Sequence, residues 1–317
     1  MAVIDLIQQE NRTAFSFEVL PPLKGTGVQS LFANIERLLD FNPLYINITT
    51  HGNEVQYKEL PNGTFEKFNL HRRPGTVAIA SAIHNRYGLT TVPHVVCSGH
   101  TREQIENMLF DLEYLGITDL LVLRGDKPAH APAFPPSSQG WSHALELEEQ
   151  INRFNRGIFV DGSLSKEVIP PFRYGVAGYP ERHAEAPNMA QDLYWLKKKV
   201  ENGADYIVTQ MFFDNRKYFD FVERARQEGI TVPIIPGIKP FTKLSQLHTL
   251  PKTFNVELPE EIAGEMLKCS SDEEVQQLGV EWGIHQCKEL IAHHALSIHF
   301  YSMGATESIR KIAQAIY

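Results

Sequence analysis

The sequence predicts an α/β fold, a (β/α)8 TIM barrel built as a single domain with extra helices before the last strand. Eight runs of β-branched and aromatic residues, each bounded by turn chemistry, are spread along the 317 residues. Most are continuously apolar rather than alternating, the pattern of parallel strands covered on both faces. Helix-period segments separate them, as parallel strands require, and eight βα units close naturally into a barrel. An open doubly wound sheet is the structural alternative.

The opening stretch, "MAVIDLIQQENRTAF", reads as a short amphipathic helix without the long apolar segment of a secretory signal. "AFSFEV" (14–19) is the first strand; it carries a lone acid, Glu18, and is stopped by Pro21 and Pro22, which stiffen the loop beyond it. "GTGVQS" (25–30) lacks the third glycine of a dinucleotide loop and reads as a turn. The helix "SLFANIERLLDF" (30–41) starts at a serine and leads to the second strand, "LYINIT" (44–49). The third strand is "TTVPHVV" (90–96), followed by "TREQIENMLFDLEYLG" (101–116), a helix with a Thr cap and a Gly end, and by the fourth strand, "DLLVLRG" (119–125).

"DKPAHAPAFPPSSQGW" (126–141) is too long for a tight turn and lacks helical period, so it reads either as a functional lid or as a disordered insertion. "RYGVAGY" (173–179), "DYIVTQMFF" (205–213) and "VPIIPGI" (232–238) are the next strands, separated by helices at 186–204 and 215–229 that each end at Gly before the next strand. Residues 242–293 hold two or three helical patterns before the last strand, "SIHFYS" (297–302), and a final helix at 306–316. No linker marks a second domain, so residues 1–317 read as one unit.

Composition narrows the function classes. With 43% hydrophobic and 21% charged residues and no apolar run able to span a bilayer, the chain is expected to be an ordinary globular protein, not a membrane protein. A net charge of −8 without a basic block gives no reason to bind nucleic acid or an anionic membrane surface, which points to small-molecule partners. Three scattered cysteines, Cys97, Cys269 and Cys287, form neither a disulfide framework nor a metal knuckle and fit a reducing, cytoplasmic setting. No Walker loop, HExxH motif, zinc spacing or Gly-x-Ser-x-Gly elbow is present; "HH" at 293–294 reads as surface or packing, and no metal is expected.

In barrels of this class catalytic groups sit at the C-terminal ends of the strands. Glu18 closes the first strand, Thr49, Thr50 and His51 the second; His94 lies late in the third, Arg124 and Asp126 close the fourth, Tyr179 and His183 follow the fifth, and Gln210 interrupts the sixth. Any one of these is more simply a satisfied structural residue. Polar residues after six successive strands are harder to explain that way, because burying them without partners is costly.

Taken together, "FSFEVLPP" (15–22), "INITTH" (46–51), "RRPGT" (72–76), "PHVVC" (93–97), "LRGD" (123–126), "VAGYPERHAEA" (176–186), "ADYIVTQMFFD" (204–214), "IIPGIKP" (234–240) and "HFYS" (299–302) resemble the methylenetetrahydrofolate reductase family. These are flavin enzymes that make methyltetrahydrofolate for methionine synthesis. The resemblance spans almost the full chain and implies a barrel that holds FAD and passes a hydride from NADH or NADPH to methylenetetrahydrofolate by a ping-pong sequence. By position in the family pattern, Glu18 resembles the general acid that opens the imidazolidine ring, and its neighbours Phe15, Phe17, Val19 and Leu20 are expected to raise its pKa. Asp126 resembles the acid facing pterin and flavin, where a negative charge tunes the flavin potential. Gln210 resembles the amide that contacts folate or nicotinamide, and Gln246 is a further candidate in the substrate site.

For FAD the resemblance implicates Thr49, His94, Arg124, Gly125, Asp126, Ala177, Tyr179, His183, Asp192 and Lys199, with Trp141 where a Tyr beside the adenine is common. On spacing alone, Asp192 and Lys199 read as a solvated helix face. Ala305 stands near the position of a family Arg, and Leu250 where relatives carry an aromatic, so contacts to the folate tail or nicotinamide are expected to differ. The resemblance also implies a homo-oligomer, and a chain without the additional regulatory domain of longer eukaryotic relatives. The rival readings are another FAD barrel, such as proline dehydrogenase, and a flavin- or folate-binding protein without catalysis.

Overall fold

The structure is a computed structural model and describes residues 1–50, 54–70, 72–126, 134 and 136–317, with the backbone alone at 54–56 and 67–70. In chain order its elements are α1 (Val3–Gln9), β1 (Ala14–Val19), α2 (Val28–Glu36), a 3-10 turn (Leu39–Phe41), β2 (Tyr45–Ile48), β3 (Glu54–Glu59), β4 (Phe65–Leu70), α3 (Thr76–Tyr87), β5 (Thr90–Val96), α4 (Arg102–Tyr114) and β6 (Asp119–Leu123). There follow α5 (Ala144–Asn155), β7 (Arg173–Gly178), α6 (Met189–Glu201), β8 (Tyr206–Thr209), α7 (Asn215–Gln227), β9 (Ile234–Ile235), β10 (Gly237–Ile238), α8 (Gln246–Phe254), α9 (Glu260–Lys268), α10 (Asp272–Ala292), β11 (Ser297–Tyr301) and α11 (Thr306–Ile316).

The parallel strands run in the order β10-β11-β1-β2-β5-β6-β7-β8-β9. β9 and β10 are two halves of one strand broken at Pro236: the first half pairs with β8 and the second with β11. Proline has no N–H to give to a ladder, so the break falls there. Counting the halves as one, eight strands form the ring and the predicted barrel is present. All eight predicted runs contain a barrel strand, and the interval before β11 holds three helices, α8, α9 and α10.

Strand alternation sorts the side chains. Phe15, Phe17, Ile46, Ile48, Val95, Val122, Val176, Ile207, Ile238, Ile298 and Phe300 face outward into the main core under the helices. Tyr45, Val92, Leu121, Tyr206, Val208 and Ile235 face inward and pack against Val3, Ile4 and Ile7. Thus α1 plugs the N-terminal end of the barrel, tied there by the Val3 N–H, which donates to Asp119 Oδ1 at 2.8 Å. A smaller cluster under α8 and α9, including Phe213, Phe241, Leu250, Ile262 and Met266, anchors the extra helices. Among the described residues no helix is long and apolar enough to cross a membrane.

The antiparallel hairpin β3–β4 is an addition to the predicted pattern, turning at Asn62 and Gly63, where Gly63 has a φ of +78°. His51 and residues 127–133 and 135 of the 126–141 stretch lie outside the described residues.

Candidate active site

The mouth at the C-terminal end of the barrel gathers what the strand-end rule predicted. β1 carries Glu18 one residue before its end, β2 leads to Thr49, β5 carries His94, β6 leads to Arg124, Gly125 and Asp126, β7 carries Ala177 and leads to Tyr179, and β8 leads to Gln210. Neighbouring segments brace the loop beyond Glu18: the Arg73 guanidinium donates to the Pro21 carbonyl, and the Thr76 hydroxyl donates to the Ile48 carbonyl at 3.1 Å.

Glu18 is buried and in register with Asn47 on one side and Tyr301 on the other. Burial pushes its pKa up to about 8; Lys239 opposes the rise and Asp126 adds to it. The expected source of that rise needs correcting. Phe15, Phe17 and Val19 belong to the outer core, because alternate residues of a strand face opposite ways; the closed barrel itself desolvates the carboxyl.

The interior below Glu18 is polar. Ser16 Oγ and His299 Nδ1 lie 3.0 Å apart, and burial drives the His299 pKa down to about 3, so its ring is neutral. The Asn47 amide, the Tyr206 hydroxyl and His299 Nε2 are buried without a hydrogen-bond partner among the described residues. Buried polar atoms of this kind are rare away from bound water or ligand. Tyr301 lies across the mouth, its hydroxyl donating to the Thr209 carbonyl at 2.5 Å.

An arc from the end of β2 to α6 carries most of the residues implicated in FAD binding. Thr49 N–H donates to the Val19 carbonyl at 3.1 Å, and the His94 carbonyl accepts from the Thr50 hydroxyl at 2.5 Å. The Arg124 guanidinium pairs with Glu185. The Tyr179 and His183 rings meet edge to face at 4.8 Å, and the His183 N–H donates to Asp192 Oδ2 at 2.8 Å. Lys199, half-buried near Glu148 and Asp192, donates to the Ala177 carbonyl at 2.8 Å. Asp192 and Lys199 therefore face the sheet and do not form a solvated helix face.

The arc fits a flat anionic dinucleotide: two cations, several hydrogen-bonding groups, and at Gly125 a bare backbone. Gly125 has a φ of +84°, and a Cβ there would come within 2.8 Å of the Ser98 Cβ, so only glycine keeps the loop in this path. Placing FAD there requires Arg124 to exchange Glu185 for phosphate, an exchange of one charge-assisted bond for another.

Other expected site residues sit at the margin. Trp141 is fixed between α4 and α5, its Nε1 donating to Gln150 Oε1 at 2.5 Å and its ring 3.8 Å from the Arg102 guanidinium carbon. Gln246 Oε1 accepts from the Thr242 N–H at 2.7 Å, so it holds the start of α8. Leu250 is buried in the cluster under α8, and Ala305 is buried before α11. Lys239, His299 and Tyr301 were missed, although Lys239 in "IIPGIKP" and Tyr301 in "HFYS" occupy strand ends that the same rule covers.

A family model described as methylenetetrahydrofolate reductase matches residues 3–317. Methylenetetrahydrofolate reductase (NADH) 1 of Arabidopsis thaliana is 33% identical over 97% of this chain and 49% of its own length. The 5,10-methylenetetrahydrofolate reductase of Salmonella typhimurium is 29% identical over 95% of this chain and 90% of its own. The chain thus spans about half the length of the plant relatives it matches. A solved structure of an uncharacterized protein from Clostridium thermocellum, which binds two copies of 5-methyl-5,6,7,8-tetrahydrofolic acid, has a TM-score of 0.57 at 13% identity, covering 99% of this chain and 98% of its own, a likeness of fold.

Proposed function

Because the chain belongs to the methylenetetrahydrofolate reductase family, we propose that it reduces 5,10-methylenetetrahydrofolate to 5-methyltetrahydrofolate with electrons from NADH or NADPH, a product that carries the methyl group for methionine synthesis. The observation that carries this reading is Glu18, a buried acid at the barrel mouth whose pKa stands at about 8. Such a carboxyl is protonated at neutral pH and suited to give its proton to a ring nitrogen of the substrate, so that the C–N bond opens to an iminium. Gln210, and with it Gln246, would position the pterin through amide hydrogen bonds.

FAD would supply the hydride-carrying ring between the two substrates. Arg124 and Lys199 would face its pyrophosphate, Asp192 its ribose, and Thr49, His94, Gly125, Ala177, Tyr179 and His183 its remaining contacts, with Trp141 on the adenine side. Asp126 would place a negative charge beside the flavin ring and lower its affinity for electrons. Both substrates use the one mouth in turn, which makes the kinetics ping-pong. The family setting supports a cytoplasmic homo-oligomer.

The test is an anaerobic half-reaction series on the purified protein: the flavin spectrum, its bleaching by NADH and by NADPH, then reoxidation by methylenetetrahydrofolate. Bleaching followed by folate-dependent recovery is expected. A protein that cannot be loaded with FAD, or a reduced flavin that the folate fails to reoxidise, overturns the reading.

A further inference from the structure

β10, β11 and β1 are consecutive around the ring. Gly237 pairs with His299 and Ile238 with Phe300, while Phe17 pairs with Phe300 and Glu18 with Tyr301. Ile238, Phe300 and Phe17 all face the outer core, so the residue that follows each turns inward, within the strand for β1 and β11 and just past its end for β10. Those residues are Lys239, Tyr301 and Glu18, one layer at the mouth. Lys239 is 3% exposed. An ammonium group so placed is costly without a counter-charge.

Tyr301 separates the two charged residues without neutralising either. Its ring lies against Gly237, where a Cβ would come within 2.5 Å of it, and its hydroxyl donates to the Thr209 carbonyl. Among the described residues, Glu18 faces the Asn47 amide from β2, Tyr301 from β11, Lys239 after β10 and Asp126 after β6, with neutral His299 one layer below, which itself faces His94 on β5. Lys239 is the cation of this set. Glu18 in turn is the charge that opposes the downward pull of burial on Lys239.

We propose that Lys239 is the counter-ion of the Glu18 proton donor, the group that offsets the negative charge left on the carboxylate when Glu18 gives its proton to the folate nitrogen. This rests on the proposed reaction. In that step the Glu18 O–H bond breaks, the proton and the C–N electron pair both go to the departing ring nitrogen, and the carboxylate stays in the layer that also holds the Lys239 ammonium, across Tyr301. Solvent restores the proton once the product leaves. Desolvation alone makes an acid that holds its proton too well; a lysine in the same layer favours the carboxylate only at the distance where it is needed. Lys239 is therefore a positioning residue, acting through Glu18 and not on the flavin.

The test reads Glu18 directly. In the full flavin-loaded chain, the protonated-carboxyl infrared band that Glu18→Gln removes is titrated in the wild type, Lys239→Met and Lys239→Arg. Lys239→Met is expected to raise the midpoint of that titration by about one to three on the pH scale, and Lys239→Arg to keep it near the wild-type value. The alkaline limb of the folate half-reaction should move with the band. If Lys239→Met does not fold, Lys239→Gln takes its place, with circular dichroism and melting temperature as the check. A band that titrates at the wild-type pH in the Met or Gln variant, with wild-type folate turnover intact, overturns the proposal alone. Coupling in the infrared in a protein that never reduces the folate supports the pairing and overturns the functional reading.

Discussion

Glu18 illustrates how much a single position owes to closure of the ring. Its place in "FSFEV" marks it as an oddity, and the strand-end rule moves it to the mouth, yet its pKa depends on Lys239 and Asp126, which lie 221 and 108 residues away in sequence and meet it only when the ring closes. For the same reason the strand-end rule reached His94, Arg124, Asp126 and Gln210, while the inward-facing polar atoms of Asn47, Tyr206 and His299 were illegible: a continuously apolar strand does not announce which residues face the lumen. With the acid form required and a pKa of about 8, the rate of the folate half-reaction is expected to be level below that pH and to fall about tenfold for each further pH step of one. Glu18→Gln should slow folate reduction by about a hundredfold or more while flavin reduction by nicotinamide persists. Stopped-flow measurement of each half-reaction across pH checks both, and equal loss of the two would show that Glu18 is not the proton donor.

Whole elements were legible where their signals were dense. The barrel strands and the helices α4, α6, α7 and α11 lie where caps, glycines and periodicity put them; α4 has the Thr101 cap that its sequence predicts, and Gln104 reaches back to complete it. The hairpin β3–β4 went unseen because "EVQYKE" and "FEKFNL" are polar, and only the Asn62-Gly63 pair marks its turn. The N-terminal helix is legible in its sequence, but its task is not: Val3, Ile4 and Ile7 seal the barrel floor. Ile7 is 1% exposed, so Ile7→Ala should lower stability by about 2–5 kcal/mol. Chemical denaturation measures this, and a loss below about 1 kcal/mol would mean that the floor is not closed by α1.

For the whole molecule, the same buried groups that shape the site set the dependence of stability on pH, in two opposing limbs. His299 goes from an ordinary value of 6.5 to about 3 on folding, so the native state binds fewer protons there and stability rises with pH until about 6.5. Glu18 goes from 4.5 to about 8 and Glu148 is likewise raised by burial, so the native state binds more protons at these carboxyls. Their contribution is fully present below pH 4.5 and is lost as pH rises toward about 8. Above about 6.5 the histidine limb is exhausted and only the carboxylate limb remains. A tenfold difference in proton affinity between the folded and unfolded chain corresponds to about 1.4 kcal/mol, enough to be visible in a melting curve. The melting temperature should therefore peak at about pH 4.5, above which the two carboxyls outweigh the one histidine, and decline from there to about pH 8, more steeply above about 6.5. Glu18→Gln should make the alkaline decline shallower, leaving the share of Glu148, and His299→Asn should flatten the acid rise. Parallel profiles for the wild type and Glu18→Gln would show that the carboxyl stays solvated and that the mouth of the barrel is wetter than its geometry implies.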